Sequence, residues 1–139
     1  MRPTYENDFD RSNEGYIKDY IEASGEFTYE KSEPFASTDG LLLKEGKPVA
    51  VIEIKARTNA SDKYPTYMIS ASKANSMLQI SWKDKIMPLL VVRFTDGVFA
   101  VVIRKGYEKR LGGRYDRNDS YDVEPCVYIP MTEFVKLCR

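Results

Sequence analysis

Three ionisable residues stand in a pattern that could hold a metal ion. Asp39 opens one apolar run, and Glu53-Ile54-Lys55 lies inside the next, with 13 residues between Asp39 and Glu53. If the two runs pair as a hairpin, the carboxylates of Asp39 and Glu53 come together. Because side chains alternate along a strand, Glu53 and Lys55 emerge on one face, about 6.6 Å apart along the chain. The pattern predicts two acids and an amine at one place.

The chemistry that suits this trio is metal-assisted hydrolysis of a phosphodiester. The carboxylates of Asp39 and Glu53 and the main-chain carbonyl of Ile54 are hard oxygen ligands, which Mg²⁺ and Mn²⁺ prefer. A bound metal lowers the pKa of its water and neutralises charge on phosphorus oxygens. Lys55 would hold or help deprotonate that water, or stabilise the transition state. The alternative is a Glu53–Lys55 salt bridge at a solvent-facing edge, since burying unpaired charge is costly.

The composition excludes several other chemistries. No histidine occurs among the 139 residues, which excludes serine and cysteine hydrolase triads, histidine-based zinc hydrolases and nucleases that activate water with histidine. Cys126 and Cys138 are too few for a four-cysteine zinc site or a disulfide framework within one chain. The net charge of zero gives no global attraction to nucleic acid. However, residues 1–33 are predominantly acidic and residues 34–117 predominantly basic.

Length and hydropathy indicate an ordinary globular domain. A chain of 139 residues has the commonest domain size, so residues 1–139 are expected to form one domain. The apolar fraction of 42% and the charged fraction of 30% are typical of this class. The longest apolar stretches, such as residues 87–92, are far below the roughly 18 residues of a membrane span. The N-terminus has no signal-peptide core. We expect a cytoplasmic protein without membrane association.

Hydrophobic periodicity predicts the elements that position these residues. Helices are predicted over residues 9–25, with Asp10 or Ser12 as N-cap, and from Ser70 or Ser72 to about Asp84. Strands are predicted over residues 27–30, 38–44, 49–56, 88–95, 98–105 and 126–129. Asp96-Gly97 predicts a tight primed turn between two of these strands. Residues 57–66 and 106–124 are expected to be loops, and residues 131–137 a short closing helix. The expected fold is α/β, with a central mixed sheet flanked by helices.

Two segments carry a family resemblance. Ser37-Thr38-Asp39-Gly40 followed by Val51-Ile52-Glu53-Ile54-Lys55 resembles the core signature of the PD-(D/E)XK nuclease superfamily. The predicted order αβββαβ is similar to the restriction-endonuclease-like core of that superfamily, including its small Holliday junction resolvase-like members. Thr38 replaces the familiar proline of the signature. The resemblance covers roughly residues 10–104 and implies a nuclease that hydrolyses DNA phosphodiester bonds with Mg²⁺ or Mn²⁺, as an endonuclease or a junction-resolving enzyme.

The resemblance also implies roles for residues on the two helices. Glu14 shares the apolar stripe of the first helix, and would assist at the metal. The alternative is a solvated acid favoured by the helix dipole. On the second helix Lys73 or Gln79 would contact phosphate, although a solvated lysine whose stem covers apolar surface is the ordinary explanation for Lys73. Because so small a domain covers little of a duplex, a homodimer is expected, as in the junction-resolving relatives.

A basic, tyrosine-rich segment follows the last predicted hairpin. It would suit an arm that binds phosphates and stacks on bases, whereas a solvated charge-rich loop is the alternative. Its residues are Arg104, Lys105, Tyr107, Lys109, Arg110, Arg114, Tyr115 and Arg117.

The substrate stays open between duplex, branched and single-stranded DNA, because substrate choice depends on loops and oligomer geometry. A different class is also consistent with the sequence: a non-catalytic nucleic-acid- or protein-binding module that retains the nuclease fold. The zero net charge favours this module. Intact Asp39, Glu53 and Lys55 favour the enzyme, since a binding module has no reason to keep all three.

Overall fold

A computed structural model of the chain describes residues 8–32, 38–113 and 123–138. Within these residues the chain forms two helices, α1 (Asp8–Ala23) and α2 (Ala71–Asp84), together with nine strands. The strands are β1 (Phe27–Lys31), β2 (Gly40–Lys44), β3 (Lys47–Ala56), β4 (Thr66–Ser70), β5 (Met87–Phe94), β6 (Gly97–Val102), β7 (Glu108–Gly113), β8 (Val123–Pro130) and β9 (Val135–Cys138). Neither of these two helices has the length and apolar character that crossing a membrane requires.

The larger sheet is mixed and contains six of these strands in the order β1-β2-β3-β5-β6-β9. Its central pair, β3 and β5, is parallel, and every other neighbouring pair is antiparallel. Parallel neighbours need a crossover connection, and β4 with α2 provides it. The central strand β3 is long and mostly buried, as a β-branched run between two neighbours should be.

Apolar side chains cover both faces of this sheet. On one face Ile17 of α1 packs in a cluster with Ile52 of β3 and Val91 of β5. On the other face Met77 of α2 packs in a second cluster that includes Leu90 of β5. The two helices therefore lie on opposite faces, and the predicted α/β architecture with a central mixed sheet and two helices is present.

A smaller antiparallel sheet, in the order β4-β8-β7, lies on the α2 side. Tyr67 and Ile69 of β4 alternate toward the core, as do Val127 and Ile129 of β8, and all four join the cluster around Met77. This sheet was not predicted. It closes the core above α2.

Both predicted helices and both predicted hairpins are present, but details differ. Ser70 caps α2, since its Oγ accepts a hydrogen bond from the Lys73 N–H (3.2 Å). The first helix begins at Asp8, before both of its predicted N-caps. The β5–β6 turn falls one residue earlier than predicted, because Phe94 pairs with Gly97 and leaves Thr95 and Asp96 as the turn. The Asp96 carboxylate there accepts hydrogen bonds from the N–H and hydroxyl of Ser61 (2.8 and 2.6 Å).

Two predictions were wrong and a third is not confirmed, because pairing between distant segments decides short strands more than local sequence does. The strand β4 stands between β3 and α2, so the predicted order αβββαβ is not confirmed. The predicted loop over residues 106–124 contains β7. The predicted closing helix is a 3₁₀ turn at Met131–Glu133 followed by β9, an edge strand paired with β6. Arg114, Tyr115 and Arg117 of the basic segment lie outside the described residues.

Candidate active site

Asp39 lies where β3 outruns its neighbour β2. The first pair of the two strands is Gly40 with Ile52, so Ile54 extends beyond the ladder. The Asp39 carboxylate takes up this position, because its Oδ2 accepts a hydrogen bond from the Ile54 N–H at 2.6 Å. The N–H and C=O of one strand residue point to the same side. The Ile54 carbonyl therefore points toward the Asp39 side as well.

Gly40 allows a close approach directly after Asp39. A Cβ at Gly40 would lie 2.7 Å from Cε1 of Tyr29 and would collide with the Glu30 carbonyl. With no side chain there, the Tyr29 hydroxyl reaches two acceptors, Oε1 of Glu14 at 2.6 Å and the Asp39 carbonyl at 3.1 Å. The glycine after the aspartate thus has a steric reason.

Glu53 is buried in the centre of β3, with a relative exposure of 2%. Its Oε2 lies 3.4 Å from Nζ of Lys55, and its Oε1 lies 3.3 Å from Nζ of Lys73. The neighbouring Ile52 and Ile54 point to the α1 face. The predicted strand parity, with Glu53 and Lys55 on one face, is confirmed. Lys73 of α2, which the family resemblance assigns to phosphate, is thus a second lysine on the same carboxylate.

Burial and neighbouring carboxylates raise the pKa of Asp39. Burial, and next the negative charge of Glu53, raise the pKa of Asp39 to about 6; Glu14 adds to the rise, while the Ile54 N–H and Lys55 oppose it. Burial also raises the pKa of Tyr29 far above its ordinary value, with Glu14, Asp39 and Glu53 all contributing. Three acids therefore act on one region, which favours a bound cation.

Glu14 reaches this region from the other face of the sheet. Its Oε2 lies 3.2 Å from Nζ of Lys31, and its Oε1 accepts the hydrogen bond from Tyr29. The Tyr29 hydroxyl is thus the link between Glu14 and Asp39. Sequence reasoning missed Tyr29 and Lys31. The available signal was their two-residue spacing on β1, which places both on one face of the strand.

Of the two predicted contacts on α2, the structure brings only Lys73 to the acids. Lys73 lies in the first turn, and its ammonium group is 3.3 Å from Glu53. Gln79 is exposed further along the helix. Of the two candidates for the phosphate contact, Lys73 and Gln79, only Lys73 therefore lies next to the acidic residues.

The basic segment has other partners. Arg104 pairs with Glu133, with Nε 3.0 Å from Oε1, and Arg110 pairs with Glu108 at 3.0 Å. Arg104 and Lys105 leave the sheet near the start of β5, because the neighbouring Ile103 N–H donates to the Pro88 carbonyl (2.8 Å). Lys109 and Arg110 lie on β7 of the smaller sheet. None of these four residues forms part of the contacts around Glu53 described above.

The residues around Asp39 fit a hard cation. Among residues 8–32, 38–113 and 123–138, no group of three or more acidic, cysteine or histidine side chains is arranged to hold a metal by itself. What is present is two carboxylates, of Asp39 and Glu53, together with the Ile54 carbonyl. The buried Oε1 of Glu53 has no hydrogen-bond partner among the described residues, although Lys73 is within ion-pair distance. Such an acceptor can serve as a ligand oxygen.

The fold and the site together define a class of protein: a mixed-sheet α/β domain with an aspartate at a strand end beside a buried Glu-x-Lys strand. The sequence matches, over residues 1–137, the family model described as "Phage putative PDDEXK endonuclease". The chain belongs to this family, and so to the PD-(D/E)XK superfamily. A comparison with curated proteins gave no match.

Proposed function

We propose that this chain is a metal-dependent deoxyribonuclease, an endonuclease or junction-resolving enzyme with Mg²⁺ or Mn²⁺ as cofactor. The observation that carries the proposal is the placement of Asp39 beside buried Glu53, where the charge of Glu53 helps to raise the pKa of Asp39 to about 6. Two acids that repel each other, one buried and one half-buried, gain stability from a shared cation. Family membership supports the nuclease class.

Three oxygen donors would hold the ion: the carboxylates of Asp39 and Glu53 and the carbonyl of Ile54. Asp39 and Ile54 are already fixed to each other by the 2.6 Å hydrogen bond, so little ordering is needed at these two residues. Glu14 would assist through its charge and through the Tyr29 hydroxyl, which contacts the Asp39 carbonyl.

When bound, the metal supplies an acidified water and neutralises charge on the phosphate oxygens. Lys55 and Lys73 both neutralise Glu53 in the described structure. With Glu53 as a ligand, its attraction for these ammonium groups would be weaker, and both would be available to the substrate. Lys55, whose side chain is 43% exposed, would orient the attacking water or donate to the phosphate. Lys73 would donate to a non-bridging oxygen.

Residues farther from Asp39, Glu53 and Lys55 belong to the same proposal as DNA contacts. Arg104, Lys105, Lys109 and Arg110 would contact the DNA backbone, and Gln79 stays a weaker candidate for phosphate. To do so, Arg104 would have to release Glu133, and Arg110 would have to release Glu108. A homodimer would place two such sites on one duplex, and sedimentation of the purified protein with and without DNA tests that assembly.

One observation favours the alternative of a non-catalytic binding module. Glu53 with Lys55 and Lys73 forms an ion-pair network that balances its charge without a metal. A module of this kind would bind nucleic acid or protein without cleaving. Its affinity for Mn²⁺ would be the same in wild type and in variants of Glu53.

The deciding experiment offers supercoiled, linear, single-stranded and branched DNA to the purified protein in Mg²⁺, in Mn²⁺ and in EDTA. Lys55→Ala is compared with Lys47→Ala, an exposed lysine at the beginning of the same strand. We expect metal-dependent cleavage that falls at least about 100-fold in Lys55→Ala and is unchanged in Lys47→Ala. No cleavage of any substrate by the wild type, or full activity of Lys55→Ala, would refute the catalytic proposal.

A further inference from the structure

A cavity of about 370 Å³ opens on the α1 side of the sheet, where β3 and β5 end. This volume lies at the lower end of the range of small-ligand sites, roughly 300–1,000 Å³. Asn13 and Tyr16 of α1 line one wall, and Arg93 of β5 lines another. Thr58 and Thr95 add hydroxyl groups.

The charge of the cavity selects an anion. Among the described residues that line it, two are arginines and none is acidic. Arg57 has its guanidinium 4.8 Å from the ring centroid of Tyr67, which belongs to the core cluster on the α2 side. Arg93 is therefore the cation to consider here.

Arg93 is oriented by stacking. It pairs with Ala56 in the β3–β5 register, and its guanidinium carbon lies 3.8 Å from the ring centroid of Tyr16. No carboxylate forms a salt bridge with Arg93 in the part of the chain that the structure describes. Stacking uses the face of the guanidinium and leaves its in-plane N–H donors for a ligand. A planar fork of donors suits a phosphate.

Asn13 adds a second, independent indication of a ligand. It is buried to 4% exposure, and its Oδ1 has no hydrogen-bond partner among the described residues. Asn13 and Tyr16 are three residues apart and so share one face of α1. A buried acceptor without a donor is unfavourable, and a ligand that carries N–H or O–H groups would satisfy it. A phosphodiester group carries no such donor, whereas the base and the sugar of a nucleotide can supply one.

We propose that this cavity receives one nucleotide of the substrate strand, with its phosphate on Arg93 and a base or sugar donor on Asn13 Oδ1. The inference rests on the proposed function for the identity of the ligand. Ala56 lines the cavity and directly follows Lys55, so the cavity begins one residue from the catalytic cluster, on the other face of the sheet. A strand that crosses the end of the sheet would contact both.

Binding in EDTA tests this without cleavage. A fluorescent single-stranded oligonucleotide and, separately, thymidine monophosphate are titrated into wild type, Arg93→Gln, Asn13→Ala and the control Lys47→Gln. We expect Arg93→Gln to lower the affinity for both ligands about tenfold and Asn13→Ala to lower it a few-fold. The affinity of Lys47→Gln should stay within about twofold of wild type. Wild-type affinity in Arg93→Gln, or an equal loss in Lys47→Gln, overturns the proposal. The proposal is also overturned if the protein binds thymidine monophosphate but not the oligonucleotide.

A local signal distinguishes ligand contact from a loss of folding. In the wild-type protein, the side-chain amide resonances of Asn13, identified by their absence in Asn13→Ala, should shift when thymidine monophosphate is added. An unshifted Asn13 signal overturns the proposal. If the wild type cleaves DNA and KM is unchanged in Arg93→Gln, the nucleotide-site proposal fails and the nuclease proposal stands. If the wild type binds the ligands through Arg93 but cleaves no DNA, only the nuclease proposal fails.

Discussion

Asp39 Oδ2 accepts a 2.6 Å hydrogen bond from the main-chain N–H of Ile54, at the point where β3 has no partner left in β2. The same carboxylate is the proposed metal ligand, so Asp39 has a structural and a chemical task. The structural task needs only an acceptor, which an amide oxygen also supplies. The chemical task needs the negative charge. Substitution by asparagine therefore separates the two.

Asp39→Asn is expected to stabilise the metal-free protein at pH 7.5 while removing metal binding. Ionised Asp39 is half-buried beside Glu53, and the rise of its pKa from 3.8 to about 6 corresponds to an unfavourable contribution of about 3 kcal/mol at neutral pH. The free energy of urea unfolding in EDTA should rise by about this amount, and added Mn²⁺ should no longer increase it. Asp39→Ala, which lacks the acceptor for Ile54, is the control and should unfold more easily than Asp39→Asn. An Asp39→Asn variant less stable than wild type would contradict this assignment.

The pH dependence follows from the same raised pKa of Asp39. Its folded pKa of about 6 lies above the ordinary value of 3.8, so the folded state binds more protons between these pH values. The stabilising contribution of protonated Asp39 is therefore complete below about pH 4 and is lost as the pH rises through 6. The stability difference between Asp39→Asn and wild type in EDTA should grow from pH 4 to pH 7 and then level off. A constant difference across this range would place the pKa elsewhere.

Local patterns were enough to predict part of this site. Strand alternation fixed Glu53 and Lys55 on one face, and the turn at Glu45-Gly46, where both residues have positive φ, brings Asp39 beside Glu53 as expected. The role of Tyr29 could not be predicted in this way, because it depends on how α1 packs on β1. The choice between Lys73 and Gln79 likewise depends on the orientation of α2 above the sheet.

The same limit explains the misassigned end of the chain. Residues Val135–Cys138 form a strand because β6 offers an open edge, with Ala100 paired to Val135 and Phe99 to Lys136. Nothing in a four-residue segment distinguishes such an edge strand from a short helix, since the stabilising hydrogen bonds come from a partner more than 30 residues away. Elements defined by their own periodicity were predictable, whereas those defined by a distant partner were not.

Lys73 and Gln79 should behave differently when each is replaced. Lys73→Met leaves buried Glu53 with Lys55 alone, so we expect a loss of about 1–2 kcal/mol in the free energy of unfolding in EDTA. Mn²⁺ should stabilise this variant more than it stabilises wild type, because the ion replaces the missing positive charge. Gln79→Ala is the matched control and should resemble wild type in stability and cleavage. Equal effects of the two substitutions would show that Lys73 is an ordinary surface lysine.

Tyr29→Phe and Glu14→Gln together test how Glu14 contributes. The pKa of Tyr29 is raised far above its ordinary value, so its hydroxyl stays protonated and remains a donor throughout the usual pH range. Tyr29→Phe removes the donor to Glu14 and to the Asp39 carbonyl, and should cost about 1 kcal/mol of stability and weaken Mn²⁺ binding several-fold. Glu14→Gln keeps an acceptor for Tyr29 but loses the charge. If Glu14 assists at the metal, isothermal titration will show weakened Mn²⁺ binding in Glu14→Gln as well. Wild-type affinity in Glu14→Gln combined with weakened affinity in Tyr29→Phe would instead limit Glu14 to positioning the tyrosine.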